Sequence, residues 1–159
     1  MLTVVLGATG SGKSTVAHIL RHLLAHHVVV DWDDLMPEVA LLSGRDVLTS
    51  PDLWGPYRLL MGSLVQSVLP VVDVVVLGAS TPDELVDWPP ASWVLLDCDD
   101  DERRSRLAGR SVGDADEAVA DAMEYRRLGS PVVDSSGRPT DDVAADLATI
   151  VARRPGCPP

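Results

Sequence analysis

Short apolar runs alternate along this chain with longer stretches whose apolar residues recur at helical spacing. Leu2–Leu6 is a run with no charge, and residues 28–30 (Val-Val-Val), 71–77, 93–97 and 132–133 repeat the pattern. Runs this short and this rich in valine predict strands buried on both faces. Between them, Val16, Ile19, Leu20, Leu23 and Leu24 mark a helix over 14–26. Further helices are predicted over 34–42, where Pro37 fits the first turn, and over 56–69, where Pro70 stops the helix. Thr81-Pro-Asp-Glu predicts a short helix with acids in its first turn. Residues 99–107, 114–128 (ended by Gly129) and 141–152 complete the set, and Asp73 is placed near the start of the third strand. Strand and helix alternate throughout, which predicts an α/β fold with a mostly parallel five-stranded sheet flanked by helices. No internal repeat or linker divides residues 1–159, so one domain is expected.

Composition sharpens this picture. Hydrophobic residues make up 46% of the chain and Phe is absent, so the core must be Val, Leu, Ala and Ile with four Trp. The net charge of -11 argues against a nucleic-acid surface or an anionic membrane surface as partner. No apolar run is long enough to span a bilayer, and no signal peptide is visible. Cys98 and Cys157 have neither framework nor metal spacing, so both are read as reduced thiols and the protein as cytoplasmic. Monomer and homodimer both stay open. The cations are concentrated: Lys13 is the only lysine, and Arg103, Arg104, Arg106 and Arg110 share one segment.

Candidate chemistry begins at residues 7–14. Gly7-Ala8-Thr9-Gly10-Ser11-Gly12-Lys13-Ser14 fits G-x-x-x-x-G-K-[ST], after a predicted strand and at the start of a predicted helix. Glycines let backbone N–H groups curl around phosphate oxygens, and the helix N-terminus adds partial positive charge. In such a P-loop Lys13 reaches the β- and γ-phosphates, and the Ser14 hydroxyl ligates Mg²⁺. Thr15 closes the loop. The expected ligands are ATP and Mg²⁺.

The second strand runs directly into Asp31, Asp33 and Asp34. Three carboxylates at the end of a run built for burial repel each other unless something cationic or proton-donating stands nearby. Ligands of open α/β sheets gather outside the carboxyl ends of the strands, where the P-loop also lies. One acid can hold a water of the Mg²⁺ shell and another can accept the proton of an attacking hydroxyl. Asp31 and Asp33, two residues apart, share a side if the strand continues. Asp34 is read first as a helix cap.

With these residues in view, the chain resembles the small-molecule P-loop kinases, an AAA-type ATP-binding group with a three-layer fold. The segment "DWDDLMPE" is similar to the D-G-D-D-L-H-P stretch of gluconate kinases: Asp31, Asp33, Asp34, Leu35 and Pro37 are kept, while Trp32 and Met36 depart. "GRDVLTSPDLW" (44–54) resembles that group's G-x-P-L-T-x-x-D-R-x-x-W segment, and shikimate kinases share the D-x-D arrangement. The resemblance implies Asp31 as the metal-shell acid, acting through water, and Asp33 as the acceptor-side acid and candidate base. It also implies a lid at about 103–127 and a substrate-side helical segment at about 34–69. The family's H-F-M lid segment is missing, and residues 113–127 are acidic and alanine-rich instead, so gluconate itself is not implied. Strand 3 ends in "VVVLGAS", without the Asp-Gly pair of nucleoside monophosphate kinases, although Gly78 permits close approach of a substrate.

Arg106 and Arg110 match the family's R-L-x-x-R pattern, which implies lid arginines over the transferring phosphoryl group. Arg110 is also expected to touch the nucleotide. Arg103 and Arg104 are read first as ion-pair partners of residues 99–102 on an exposed helix. Residues 135–138 stand either beside the adenine or in a plain turn. Arg45 and Arg58 either hold the substrate or form surface salt bridges, and Trp32, Trp54 and Tyr57 either wall a substrate pocket or join the core.

The expected activity is ATP-dependent transfer to a hydroxyl of a small polar molecule: a sugar acid, cyclitol, nucleoside or natural product. A nucleoside or nucleoside monophosphate kinase is the first alternative. A non-catalytic regulatory nucleotide-binding module is the second. A GTPase is disfavoured because no N-K-x-D segment is present.

Overall fold

The computed structural model describes residues 1–109 and 114–153. Five strands, β1 (Leu2–Leu6), β2 (His27–Asp31), β3 (Asp73–Gly78), β4 (Ala91–Asp97) and β5 (Val132–Asp134), form one sheet in the order β2-β3-β1-β4-β5. Every pairing is parallel. The helices are α1 (Lys13–Leu23), α2 (Met36–Ser43), α3 (Trp54–Val68), α4 (Asp100–Leu107), α5 (Ala115–Arg127) and α6 (Thr140–Ala152). The result is the three-layer α/β arrangement that the sequence predicts.

Alternation along the strands sorts the valines into two cores. Val5, Val75, Leu77, Val94 and Leu96 face α1 and α6, meeting Val16, Leu20, Val143 and Leu147. Leu2, Val4, Val30, Val74 and Val76 face the other way, meeting Tyr57, Met61 and Val65 of α3. Successive side chains of a strand point to opposite faces, so a continuous apolar run serves both layers. Near the carboxyl ends, Leu6, Ala8 and Leu95 pack against Ala122 and Tyr125 of α5.

Three expectations are corrected. Residues 81–88 form a series of turns with no helix; the Glu84 carboxylate accepts the Thr81 backbone N–H at 2.8 Å and closes the first turn on itself. The third strand begins only at Asp73, because Val71 and Val72 donate to the Val68 carbonyl and prolong the α3 exit. Asp73 then pairs with the N-terminal ammonium of Met1. Finally, β2 ends at Asp31, and Trp32–Leu35 form a 3-10 turn, so strand alternation does not bring Asp31 and Asp33 together. The turn does: Asp31 caps it, accepting the Asp33 N–H at 3.3 Å, and Asp34 accepts the Asp31 N–H at 2.8 Å in return. Asp34 also pairs with Arg21, which settles it as a structural cap.

The register sets the site. Leu6 is level with Gly78, and Asp31 is level with Leu77. The carboxyl ends of β1, β3 and β2 therefore coincide within one residue. With β3 between them, Asp31 stands two strand spacings from β1, about 10 Å.

Candidate active site

A cleft of about 1320 Å³ opens over these strand ends. One wall is the P-loop. Gly10 and Gly12 have φ of 84° and 96°, the left-handed region that a side chain resists. A Cβ on Gly7 would stand 2.6 Å from the Leu96 carbonyl and 2.7 Å from Ser11 Oγ, so only glycine fits there. Gly7 N–H donates to the Gly78 carbonyl at 3.1 Å and anchors the loop to β3.

The loop is held from behind by its carbonyls. Thr9 O accepts from Arg103 Nη1 at 2.8 Å, Gly10 O from Arg106 Nη1 at 3.1 Å, and Ser11 O from Ser135 Oγ at 3.1 Å. Three consecutive carbonyls are thus taken up by side chains from outside the loop, while the Ser11 N–H donates to the Ala8 carbonyl at 3.1 Å. Gly12, Lys13, Ser14 and Thr15 line the cleft at the start of α1. No side chain caps α1, and its first turn has no acid. The first N–H groups of a helix have no helical acceptor, so they suit an anion. The Ser11 hydroxyl, fully buried and without a hydrogen-bond partner among the described residues, lies in the same wall. These residues fit a polyphosphate.

Lys13 Nζ donates to Gly7 O at 2.5 Å and to Ala8 O at 3.2 Å. Burial lowers its pKa from 10.5 to about 8, against the opposing charges of Asp31 and Asp33. Asp31 is buried, and both Asp31 and Ser14 line the cleft. A hydroxyl and a carboxylate there fit Mg²⁺, which takes oxygen ligands and keeps several waters. Asp33 lies at the cleft surface, and its carboxylate has no hydrogen bond or salt bridge among the described residues. Burial, then the charge of Asp31, raises its pKa above the ordinary value, while Lys13 opposes the rise.

The arginines are placed differently from their expected roles. Arg103 is completely buried: besides Thr9 O it meets Asp97 Oδ1 at 2.5 Å. The expectation of an exposed ion pair with residues 99–102 is wrong for it, because Arg103 and Leu107, four residues apart, form the inward face of α4. That spacing was the available signal. Arg104 is exposed as expected, but its ion pair is with Asp116 of α5 and not with residues 99–102. Arg106 lines the cleft, but its guanidinium is held by Gly10 O, Glu102 and the carbonyl and hydroxyl of Ser135, so it braces the P-loop. Arg110 lies outside the described residues. Arg45 makes a two-pronged pair with Asp52, at 2.6 and 2.8 Å, and Arg58 donates to the Glu84 carbonyl at 2.6 Å. Neither lines the cleft.

The aromatic residues divide as well. Trp32 is buried, stacked on Trp88 and edge-on to Tyr57, each at 5.7 Å between ring centroids, and Tyr57 donates to the Trp32 carbonyl. Trp54 is 38% exposed and lines the cleft with Leu48. A Cβ on Gly78 would lie 3.4 Å from Trp32 Cβ, so the tryptophan packs close against it, and Gly78 and Trp32 both line the cleft. Of residues 135–138, Ser135 and Arg138 line the cleft, and Arg138 pairs with Asp146. Glu84 and two residues of α5, Glu117 and Asp121, also face the cleft and were not foreseen. The four-residue spacing of Glu117 and Asp121 puts them on one helix face. Tyr125 donates to the Ala79 carbonyl at 2.6 Å, and Arg126 binds Asp97 at 2.6 Å, which docks α5 over the strand ends. Among the described residues no helix is long and apolar enough to cross a membrane.

The family model described as AAA domain matches residues 4–127. No curated protein matches the chain. Similar solved structures include the tunicamycin resistance protein of Deinococcus radiodurans, with a TM-score of 0.72 and 18% identity over 95% of each chain. A gluconokinase from Sinorhizobium meliloti 1021 has a TM-score of 0.64 and 21% identity over 94% of this chain and 90% of that one. Shikimate kinase from Acinetobacter baumannii, in complex with shikimate, has a TM-score of 0.60 and 17% identity over 94% and 92%. At these identities the likeness is one of fold.

Proposed function

Because the chain belongs to the AAA domain family that residues 4–127 match, and its cleft joins a braced P-loop to a free carboxylate, we propose that it is an ATP-dependent small-molecule kinase. The acceptor is a hydroxyl of a small polar compound. Neighbours named as a gluconokinase and a shikimate kinase support the reaction class. The observation that carries the reading is Asp33: its carboxylate has no hydrogen bond or salt bridge among the described residues and faces the same cleft as Lys13 and Ser14. A module that only binds nucleotide has no use for a proton acceptor there.

The P-loop N–H groups and Lys13 hold the β- and γ-phosphates and offset charge as it develops on the transferring group. Ser14 and, through water, Asp31 would hold Mg²⁺, which supplies Lewis-acid neutralisation of the phosphate oxygens. Asp33 orients the acceptor hydroxyl and takes its proton. The hydroxyl oxygen bonds to the γ-phosphorus, the bond to the bridging oxygen breaks, and ADP carries away that electron pair. A carboxylate with a raised pKa is a better base for this step than an ordinary one. Residues 34–69 form the acceptor side, with Trp54 as its apolar wall, and residues 103–127 the lid side.

The test is transfer of label from γ-labelled ATP to pooled small alcohols, with Asp33→Asn beside the wild type. A labelled product that collapses in the variant is expected. ATP binding without transfer to any pool would favour the regulatory module and sink the kinase reading.

A further inference from the structure

We propose, resting on the kinase reading above, that the hydroxyl acceptor carries a cationic amine: an amino sugar, an aminocyclitol or a similar amino alcohol. The cleft is a ligand site on independent grounds, since Ser11, whose buried hydroxyl has no hydrogen-bond partner among the described residues, and the uncapped start of α1 both line it. The question is the charge of the molecule that fills the rest. Away from the P-loop, the wall carries Asp33, Glu84, Glu117 and Asp121, and Asp31 closes it next to the loop.

Among the described residues no cation makes an ion pair with these acids, although the charge of Lys13 reaches Asp31, Asp33 and Asp121 from the loop. Lys13 is turned to the loop carbonyls, and Arg106 is held by Gly10 O, Glu102 and Ser135. Arg138 is paired with Asp146, and Arg103 is buried behind the loop on Asp97. Arg45 and Arg58, the two arginines suited by sequence to an anionic substrate, lie outside the cleft wall. The carboxylates of Asp33, Glu117 and Asp121 make no hydrogen bond or salt bridge among the described residues. Burial, then the charges of Glu117 and Glu124, raises the pKa of Asp121, while Arg103 opposes the rise and Glu84 adds to it.

A bare divalent ion does not answer this arrangement, because no group of three or more described His, Cys, Asp or Glu residues is close enough to hold one. An organic cation is larger and can meet carboxylates spread over a wall. A carboxylate substrate would meet the same wall as a repulsive surface, and like charges brought together discriminate strongly between partners.

The experiment measures phosphoryl transfer from ATP to three pools of small alcohols, bearing an amine, no charge, or a carboxylate. Each amine is matched by its N-acetylated twin. The expected result is a product from the amine pool, with kcat/KM about tenfold or more above the acetylated twin, as one charge contact near a protein surface warrants. Glu117→Gln and Asp121→Asn, assayed separately, should raise KM for the amine with KM for ATP as the internal control. Transfer to neutral or carboxylate alcohols in preference to amines overturns the inference and leaves the kinase standing. An amine preference indifferent to both variants overturns the assignment to this wall. ATP binding with transfer to none of the pools overturns the kinase reading, and this inference with it.

Discussion

The two walls of the cleft are built by opposite means. On the nucleotide side, Arg103, Arg106 and Ser135 take up the outward carbonyls of Thr9, Gly10 and Ser11. Every one of these groups works through backbone geometry, and their side chains are spent on the fold. On the acceptor side, the carboxylates of Asp33, Glu117 and Asp121 are left without hydrogen-bonded partners among the described residues. A wall of fixed amides can bind only what all nucleoside triphosphates share. A wall of unmated side chains is where discrimination between acceptors is available. The contrast separates what this protein has in common with other P-loop proteins from what is its own.

The sharpest way to break the comparison is to neutralise one acceptor-side carboxylate with almost no change of shape. Asp33→Asn should lower kcat by about 10²–10⁴-fold, the usual worth of a positioned general base. Stability should hardly move, because the Asp33 side chain makes no hydrogen bond or ion pair among the described residues. A base must be deprotonated to act, and the Asp33 pKa is raised by burial and by Asp31. The acid limb of the kcat/KM profile should therefore lie above the ordinary carboxylate range. A limb at the ordinary value would remove Asp33 from the role of base.

The same substitution strategy on the nucleotide side should act on chemistry and stability in opposite directions. Lys13→Met should cost about 10²–10³-fold in transfer, comparable to removing one preorganised donor. It should also make the ligand-free protein more resistant to heat at pH 7. The reason lies in the pKa of about 8 against the ordinary 10.5. Between those values the unfolded chain holds a proton that the native chain has released, so stability rises with pH across that window. Below pH 8 the native state carries the full cost of a buried ammonium, on the order of 1–3 kcal/mol. The gain in melting temperature should shrink as pH rises from 8 to 10.5. A variant that melts lower than wild type at pH 7 would show that the contacts of Lys13 with Gly7 and Ala8 outweigh burial.

Arg103 extends the comparison behind the loop. Arg103→Met should destabilise by about 3 kcal/mol, the lower end for a broken buried pair, because Arg126 still holds Asp97 at 2.6 Å. It should also weaken ATP binding, since Thr9 O loses its donor. Arg104→Ala, in the exposed pair with Asp116, should leave the melting curve unchanged. Equal effects at the two positions would contradict the buried placement of Arg103.

The reach of sequence reasoning follows the same division. The P-loop was legible because glycine, lysine and serine at fixed offsets encode a backbone shape. The strands were legible because valine runs buried on both faces admit few other structures. The boundaries that failed did so for local reasons. Asp31 ends β2 by capping a 3-10 turn, which the alternation of apolar residues does not register. Glu84 closes a turn where acids after Thr81-Pro82 read as the first turn of a helix. Arg103 was obscured by its charge: a guanidinium at the inward position of α4 is unexpected until Asp97 is seen beside it. The acceptor wall was least legible because Glu117 and Asp121 come to face the same cleft as Asp33 only through the docking of α5, a tertiary contact made by Tyr125 and Arg126.

The smallest expected effect tests where the acceptor wall ends. Trp54 is 38% exposed and lines the cleft, whereas Arg45, nine residues before it, is bound to Asp52 outside the lining. An exposed indole in a cleft contributes contact area to a ligand at little cost in rotamer freedom, since it turns about only two χ angles. Trp54→Ala should therefore raise acceptor KM severalfold with little change in kcat, and leave KM for ATP in place. Arg45→Ala should change neither. Steady-state kinetics on the two variants decides between the walls that the sequence left open. If Arg45→Ala raises acceptor KM and Trp54→Ala does not, the acceptor reaches past the cleft into the 44–53 loop, and an anionic group on it becomes the better reading.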